Sequence, residues 1–155
     1  CKIKESIPAK LLLVGDGPER QNVEKLTRQV CMEDDVYFLG KQEAVEELLA
    51  IADLFVLPSE TESFGLAALE AMACEVPVIS TNTGGIPEIN VQGVTGYLSN
   101  VGDVDDMAAN AIKILSDEST LLQFRKNAIA QANKFSLDSI LPMYEAYYRK
   151  VIEQK

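Results

Sequence analysis

The sequence contains no histidine. That absence excludes Ser-His-Asp triads, Cys-His pairs and histidine-ligated metals from this chain. Acid–base or electrostatic chemistry must come from carboxylates, lysines, backbone dipoles or a partner domain. Cysteine is scarce: Cys1, Cys31 and Cys74 are odd in number and form no C-x-x-C. A disulfide framework or a zinc site is therefore not expected. The plain reading is a reducing cytoplasm, with Cys31 and Cys74 as small buried hydrophobes. Basic residues are few, 14 Lys and Arg against 24 Asp and Glu, for a formal charge of −10. Such a balance argues against nucleic acid, where Lys and Arg contacts to phosphate dominate affinity, and against anionic membrane surfaces. It leaves a nucleotide open, because backbone N–H groups at helix N-termini bind phosphate without a basic side chain. No apolar run reaches membrane-spanning length, and no signal peptide is visible.

What is present is an alternation of short apolar runs and longer amphipathic stretches. With 155 residues, 47% of them hydrophobic, the chain suits one α/β domain with a core. Strands are expected at Lys10–Val14, Val36–Leu39, Leu54–Leu57, Val76–Ser80 and Gly96–Leu98. Helices are expected from Pro18 to about Val30, from Glu43 to Ile51 and from Gly65 to Ala73. Strand–helix alternation at this spacing implies right-handed crossovers and one Rossmann-like parallel sheet flanked by helices. Ligands of such sheets lie beyond the carboxyl ends of the strands. The loops Gly15–Gly17, Gly40–Gln42, Ser59–Ser63 and Thr81–Gly85 are thus expected to converge. The last third reads as helical: one helix to about Leu115, a second from Glu118 to about Lys134, and a third that Ser136 could cap and Pro142 could kink. Tyr144, Tyr147, Tyr148 and Val151 recur at helical spacing, so this helix should pack one face on something.

The chemistry concentrates in Glu62-Ser63-Phe64-Gly65-Leu66-Ala67-Ala68-Leu69-Glu70. A glycine at the mouth of a helix lets a ligand approach the backbone, and the free N–H groups there favour a phosphate. The plainer alternative is that Gly65 only eases a tight turn. Glu70 lies about one turn beyond Leu66 among apolar neighbours, so a buried carboxylate is expected, and burial is costly without a partner. Two hydrogen bonds from a vicinal diol, as on a ribose, would satisfy it. A salt bridge to Lys10 or Lys41 would too. Glu62 precedes the helix, where a sugar hydroxyl is its natural partner and plain solvation the alternative. Gly15-Asp16-Gly17-Pro18 resembles the turn of a nucleotide-binding βα unit but is not G-x-G-x-x-G. Gly84-Gly85-Ile86-Pro87-Glu88 is a second glycine-rich turn at a strand end, equally readable as a tight turn.

Together these segments resemble the C-terminal half of a family-4 retaining glycosyltransferase of the GT-B fold. Glu62-x7-Glu70, Gly15-Asp16-Gly17-Pro18, Phe38-Leu39-Gly40, Gly84-Gly85-Ile86-Pro87-Glu88 and Gly93-Val94-Thr95-Gly96-Tyr97 fall in that family's order and spacing, over about residues 9 to 150. The runs from Lys10 to Glu19, from Phe38 to Gln42 and from Glu62 to Leu66 are similar to the branch that joins N-acetylglucosamine to L-malate in bacillithiol biosynthesis. The resemblance implies transfer from UDP-N-acetylglucosamine with retention and with neither cofactor nor metal. It implies that Glu70 grips the ribose diol and that Glu62, the catalytic candidate, contacts the donor sugar. Ser63, Phe64, Gly65 and Leu66 would meet sugar and diphosphate through their backbone. Gly15 and Gly17 would flank the nucleotide, and Lys41 and Gln42 would read the base.

The same resemblance implies a single nucleotide-sugar-binding domain over residues 1–155, truncated at its N-terminal end. The family's phosphate-gripping Arg and Lys lie on an earlier strand–helix unit, and its small-molecule acceptor site, with any membrane contact, in a preceding domain. Isolated, the piece is expected to be inactive. Residues 136–155 are expected to pack toward that preceding domain, so that their apolar face favours self-association. Glu75 stands where the family usually has glycine. Competing readings are a non-catalytic binding or scaffolding domain of this fold, a family-4 enzyme of cell-surface polysaccharide synthesis, and an unrelated Rossmann-like redox domain, which the missing G-x-G-x-x-G disfavours.

Overall fold

The computed structural model describes residues 1–154. Each expected apolar run forms a strand: β1 (Leu11–Val14), β2 (Val36–Gly40), β3 (Phe55–Leu57), β4 (Val78–Thr81) and β5 (Gly96–Ser99). Helices α1 (Arg20–Gln29), α2 (Val45–Leu49), α3 (Leu66–Ala73) and α4 (Ile86–Ile89) alternate with them. The chain closes with α5 (Val104–Leu115), α6 (Glu118–Ala132), a 3-10 turn at Asn133–Phe135 and α7 (Leu137–Glu153). The short α4 is not foreseen from the sequence, where Gly84-Gly85 and Pro87 read only as a turn. Pro87 lies in its first turn, where a missing N–H costs nothing.

All pairings are parallel, but they form two sheets rather than the single one expected. β1 pairs with β2, and β3, β4 and β5 pair in that order. No ladder joins β1 to β3 among the described residues, so each has an unpaired edge. The consequence is partial solvation: Leu11, Val14 and Val56 are exposed, whereas every residue of β4 is buried. Apolar runs identify strands but not their neighbours, which is why this division was not legible.

β4 is the hub. Its side chains alternate between faces. Val78 packs with Ala68, Ala71 and Met72 of α3 and Ala128 and Ala132 of α6. Ile79 packs on the other face with Met107, Ala111 and Ile114 of α5 and Phe124 of α6. Small alanines on α3 and α6 let the two backbones approach closely. Behind β4, the buried Asn90 donates from Nδ2 to Ser80 Oγ (2.7 Å) and accepts at Oδ1 from Thr95 Oγ1 (3.0 Å). A buried amide paired in this way avoids the penalty of an unmet polar group.

Asp103 caps α5, accepting from the Asp106 amide at 3.0 Å, and Asp117 caps α6, accepting from the Thr120 amide at 2.7 Å. Ser136 precedes α7 but makes no capping bond; its hydroxyl pairs with that of Ser139. The helix runs on through Pro142. α7 has no buried residue, and Leu141, Tyr144, Tyr147, Tyr148 and Val151 are all exposed. Its apolar face is thus not covered by the remainder of the described chain.

Two non-glycine residues adopt left-handed backbone, Cys31 (φ 53°) and Glu75 (φ 61°). Each ends a helix in the same way. After α1, the Cys31 amide donates to Arg28 and the Met32 amide to Thr27; after α3, Glu75 donates to Met72 and Val76 to Ala71. These paired bonds make a Schellman motif, whose left-handed position usually carries glycine. Cys31 is therefore exposed rather than buried, because its position reverses the chain; Cys74 is half-buried.

Candidate functional site

Pro58 ends β3, and the segment that follows delivers Glu62, Ser63, Phe64 and Gly65 to the N-terminus of α3. Gly65 is the residue that makes this entry feasible. It sits at φ 91°, ψ 43°, a region costly to any residue with a side chain. A Cβ there would also lie 3.2 Å from Ile89 Cδ1 and 3.3 Å from Ile86 Cγ1. Conformation and close packing thus both require glycine, beyond the easing of a turn.

The helix mouth is rich in free donors. Among the described residues, the amides of Phe64, Gly65, Leu66 and Ala67 donate to no protein acceptor. The first turn of any helix leaves such N–H groups, and the helix dipole adds partial positive charge to them. No acidic side chain occupies the first turn of α3. The arrangement is chemically suited to an anion.

Two carboxylates flank it. Glu62 is half-buried, and its Oε1 accepts from the Ser63 amide at 2.9 Å. Glu70 is exposed, contrary to the expectation of burial. The reason is rotational: Ala68, Ala71 and Met72 take the inner face of α3, and Leu66, Ala67, Glu70 and Ala73 share the outer one. No ion pair holds Glu70 among the described residues. Lys10, one partner the sequence offered, instead donates to Asp35 Oδ1 and the Asp34 carbonyl, both at 2.8 Å, and Lys41 has no ion pair among the described residues. The outer face of α3 thus presents Leu66, 64% exposed, with a free carboxylate one turn beyond it.

The loops of the β1–β2 sheet form a second group. Gly15 (φ 118°) donates its amide to the Gly40 carbonyl at 2.7 Å, joining the ends of β1 and β2. Gly15, Asp16 and Gly17 line an open hollow of about 310 Å³ with Arg20 and Phe38. Beyond Gly40, Lys41 is exposed, and Gln42 donates from Nε2 to the Leu39 carbonyl at 2.6 Å. Sequence reasoning passed over Arg20. Its Nε donates to Glu24 Oε1 at 2.9 Å, and its guanidinium lies 5.8 Å from the Phe38 ring centroid. Hydrogen bonding to Glu24 raises its pKa above the ordinary value. A cation at a helix N-terminus opposes the dipole, and that anomaly was the available signal.

The structure therefore brings Glu62, Ser63, Phe64, Gly65, Leu66 and Glu70 together on one edge and Gly15, Gly17, Lys41 and Gln42 on another. No hydrogen bond or ion pair links the two groups among the described residues. Nor do three or more Cys, Asp or Glu residues cluster in a way that could hold a metal ion there.

Parallel strands flanked by helices, with a glycine-opened helix at their carboxyl edge, define a Rossmann-like α/β domain. The chain belongs to the family of glycosyl transferases group 1, whose model matches residues 1–131. It is 48% identical over 153 residues to N-acetyl-alpha-D-glucosaminyl L-malate synthase of Bacillus anthracis, covering 98% of this chain and 40% of that protein. It is 34% identical over 140 residues to 2-deoxystreptamine N-acetyl-D-glucosaminyltransferase of Niallia circulans, covering 88% of this chain and 36% of that protein. Among solved structures, Anabaena HepE in complex with UDP superposes with a TM-score of 0.87 at 27% identity, over 96% of this chain and 43% of that one. Sucrose-phosphate synthase from Thermosynechococcus elongatus gives 0.86 at 30% identity, over 99% and 41%. The chain thus spans two fifths or less of these two curated relatives.

Proposed function

We propose that this chain supplies the donor-nucleotide half-site of a retaining transferase that moves N-acetylglucosamine from UDP-N-acetylglucosamine to L-malate. The observation that carries the reading is the row of four acceptor-less amides at the mouth of α3, set between Glu62 and Glu70. A diphosphate fits such a row, since N–H groups and helix dipole both favour negative charge. Glu70, exposed and unpaired, accepts from the ribose diol. Glu62 keeps one oxygen on the Ser63 amide and offers the other to a hydroxyl of the donor sugar. Lys41 and Gln42 meet the base through their backbone, with Gly15 and Gly17 beside the nucleotide.

Catalysis on this reading is electrostatic. As the glycosidic bond to the diphosphate breaks, negative charge grows on the departing oxygen beside Phe64, Gly65, Leu66 and Ala67. Preorganised amides stabilise that charge without a metal. The relatives named for N-acetylglucosaminyl transfer support the sugar, and the HepE complex with UDP supports the base. Retention, the metal-free departure and an acceptor site on a preceding domain are what the family resemblance implies, and the few unpaired cysteines support a cytoplasmic setting.

The test is to incubate an enzyme carrying this chain with UDP-N-acetylglucosamine and L-malate and to follow the anomeric proton by NMR. An α-linked product is expected. A β-linked product, or none with malate, contradicts the proposal.

A further inference from the structure

Two loops at the carboxyl edge of the β3–β4–β5 sheet lie backbone against backbone. A Cβ built on Gly84 would stand 1.6 Å from the Glu62 carbonyl oxygen. One built on Gly85 would stand 2.6 Å from the Ser63 carbonyl oxygen and 3.1 Å from Phe64 Cα. Hydrogen bonds fasten the same two segments. Thr81 Oγ1 donates to the Ser59 carbonyl at 2.6 Å, Thr83 Oγ1 to the Glu60 carbonyl at 3.3 Å, and the Gly85 amide to the Ser63 carbonyl at 3.1 Å. Further along, Ile86 and Ile89 of α4 press on Gly65. The whole approach to α3 is thus held from one side by the turn that follows β4. The fully buried β4 anchors that turn, whereas the 59–65 segment has little regular structure of its own.

We infer that Gly84 and Gly85, with the Thr81 and Thr83 hydroxyls, are positioning residues that set where Glu62 stands over the donor sugar. The inference rests on the reading of Glu62 as the sugar contact and adds what fixes it there. Both glycines serve by having no side chain, so that the two backbones can touch. Gly84 is left-handed (φ 56°) as well, so alanine is disfavoured there on two counts. A methyl at Gly84 must push the Glu62 peptide away by about 1 Å or more, and a misplacement of that size costs about 100-fold in rate when it moves a reacting group. Glu70 is carried on the outer face of α3, beyond the displaced segment, so the ribose contact moves less than the sugar contact. The coupling thus separates sugar from nucleotide.

Two variants and two readouts test it on this chain. Gly84→Ala forces the loops apart; Thr83→Val removes one fastening while keeping shape, so a folding failure in the first does not end the test. Hydrogen–deuterium exchange is expected to quicken at least tenfold in both variants at the Gly85 amide, which donates across the seam to the Ser63 carbonyl, with β4 unchanged. By calorimetry, UDP-N-acetylglucosamine is expected to lose at least fivefold more affinity than UDP, which shares only the Phe64 and Gly65 end of the amide row with the displaced segment. Unchanged exchange at the Gly85 amide would overturn the inference, as would equal losses for both ligands, which is what a purely structural role produces. If the unsubstituted chain binds neither ligand, the titrations are made on an enzyme that carries this chain, where no binding ends the donor-site reading, and the exchange result alone still decides whether the β4 turn holds the Glu62 segment.

Discussion

Glu62 and Glu70 stand on either side of the mouth of α3, the first half-buried with an oxygen on the Ser63 amide at 2.9 Å, the second exposed and unpaired on the helix's outer face. One is fixed by the protein and the other is free. In the proposed half-site that difference separates their roles, with Glu62 oriented for the sugar and Glu70 available to the ribose.

Replacing Glu70 by alanine should weaken UDP binding by about 10- to 100-fold, the effect of losing a hydrogen bond to a charged group. Since Glu70 is exposed, the melting temperature should hardly change. Calorimetric titration measures the first and circular dichroism the second. Unaltered affinity would remove Glu70 from the ribose.

Replacing Glu62 by alanine in an active enzyme carrying this chain should lower kcat by at least tenfold, leaving UDP affinity within about threefold. A loss confined to a hydroxyl contact that strengthens as the bond breaks appears in turnover rather than in nucleotide binding. Steady-state kinetics with UDP inhibition separates the two. Full activity in the variant would contradict the assignment.

Cys31→Gly and Glu75→Gly should each stabilise the fold by about 1 kcal/mol, because a left-handed Schellman position costs a non-glycine residue about that much. Urea denaturation should show a higher midpoint for either variant. A lower midpoint would mean that the side chains contribute more than the strain removes.

The Asp117 carboxyl is held at about 2 by hydrogen bonds from the Thr120 and Ser119 hydroxyls and the Thr120 amide. Its folded pKa lies below its unfolded one, so its contribution is fully present above about pH 4 and is lost as pH falls through about 2. The Asp117→Ala variant should therefore show a constant stability deficit from pH 7 to pH 5 and a shrinking one below pH 4. Urea midpoints across that range check it, and a deficit that does not narrow in acid would contradict it.

Charging the open face of α7 should suppress self-association. Leu141, Tyr144, Tyr147, Tyr148 and Val151 form an uncovered apolar face, and such patches drive association. Sedimentation equilibrium should find concentration-dependent association in the unsubstituted chain and a monomer in the Leu141→Lys, Tyr147→Lys double variant. A monomer in both would assign that face no role in pairing copies.

Strands and long helices were legible because each strand is a short apolar run bounded by Gly, Pro or Asp, and because the helices are longer amphipathic stretches between and after them. The helix-opening Gly65 with its flanking carboxylates was legible from spacing. The exposure of Glu70 was not: in Leu66-Ala67-Ala68-Leu69-Glu70-Ala71-Met72-Ala73 nearly every neighbour is apolar, so periodicity does not say which face turns inward. The alanine contact with α6 settles it, and that contact is tertiary. The division into two sheets and the contact of Gly84 with Glu62 share this character. Each depends on which segments become neighbours, and a glycine that reads as a turn proves to be a site of close approach.

The central claim, a donor half-site preformed around α3, is tested most directly by calorimetric titration of this chain with UDP, using GDP, ADP and NAD as controls. Selective binding of UDP, abolished or cut at least tenfold by Glu70→Ala, is the predicted result. Binding of NAD in preference to UDP, or UDP binding indifferent to Glu70, would contradict the account.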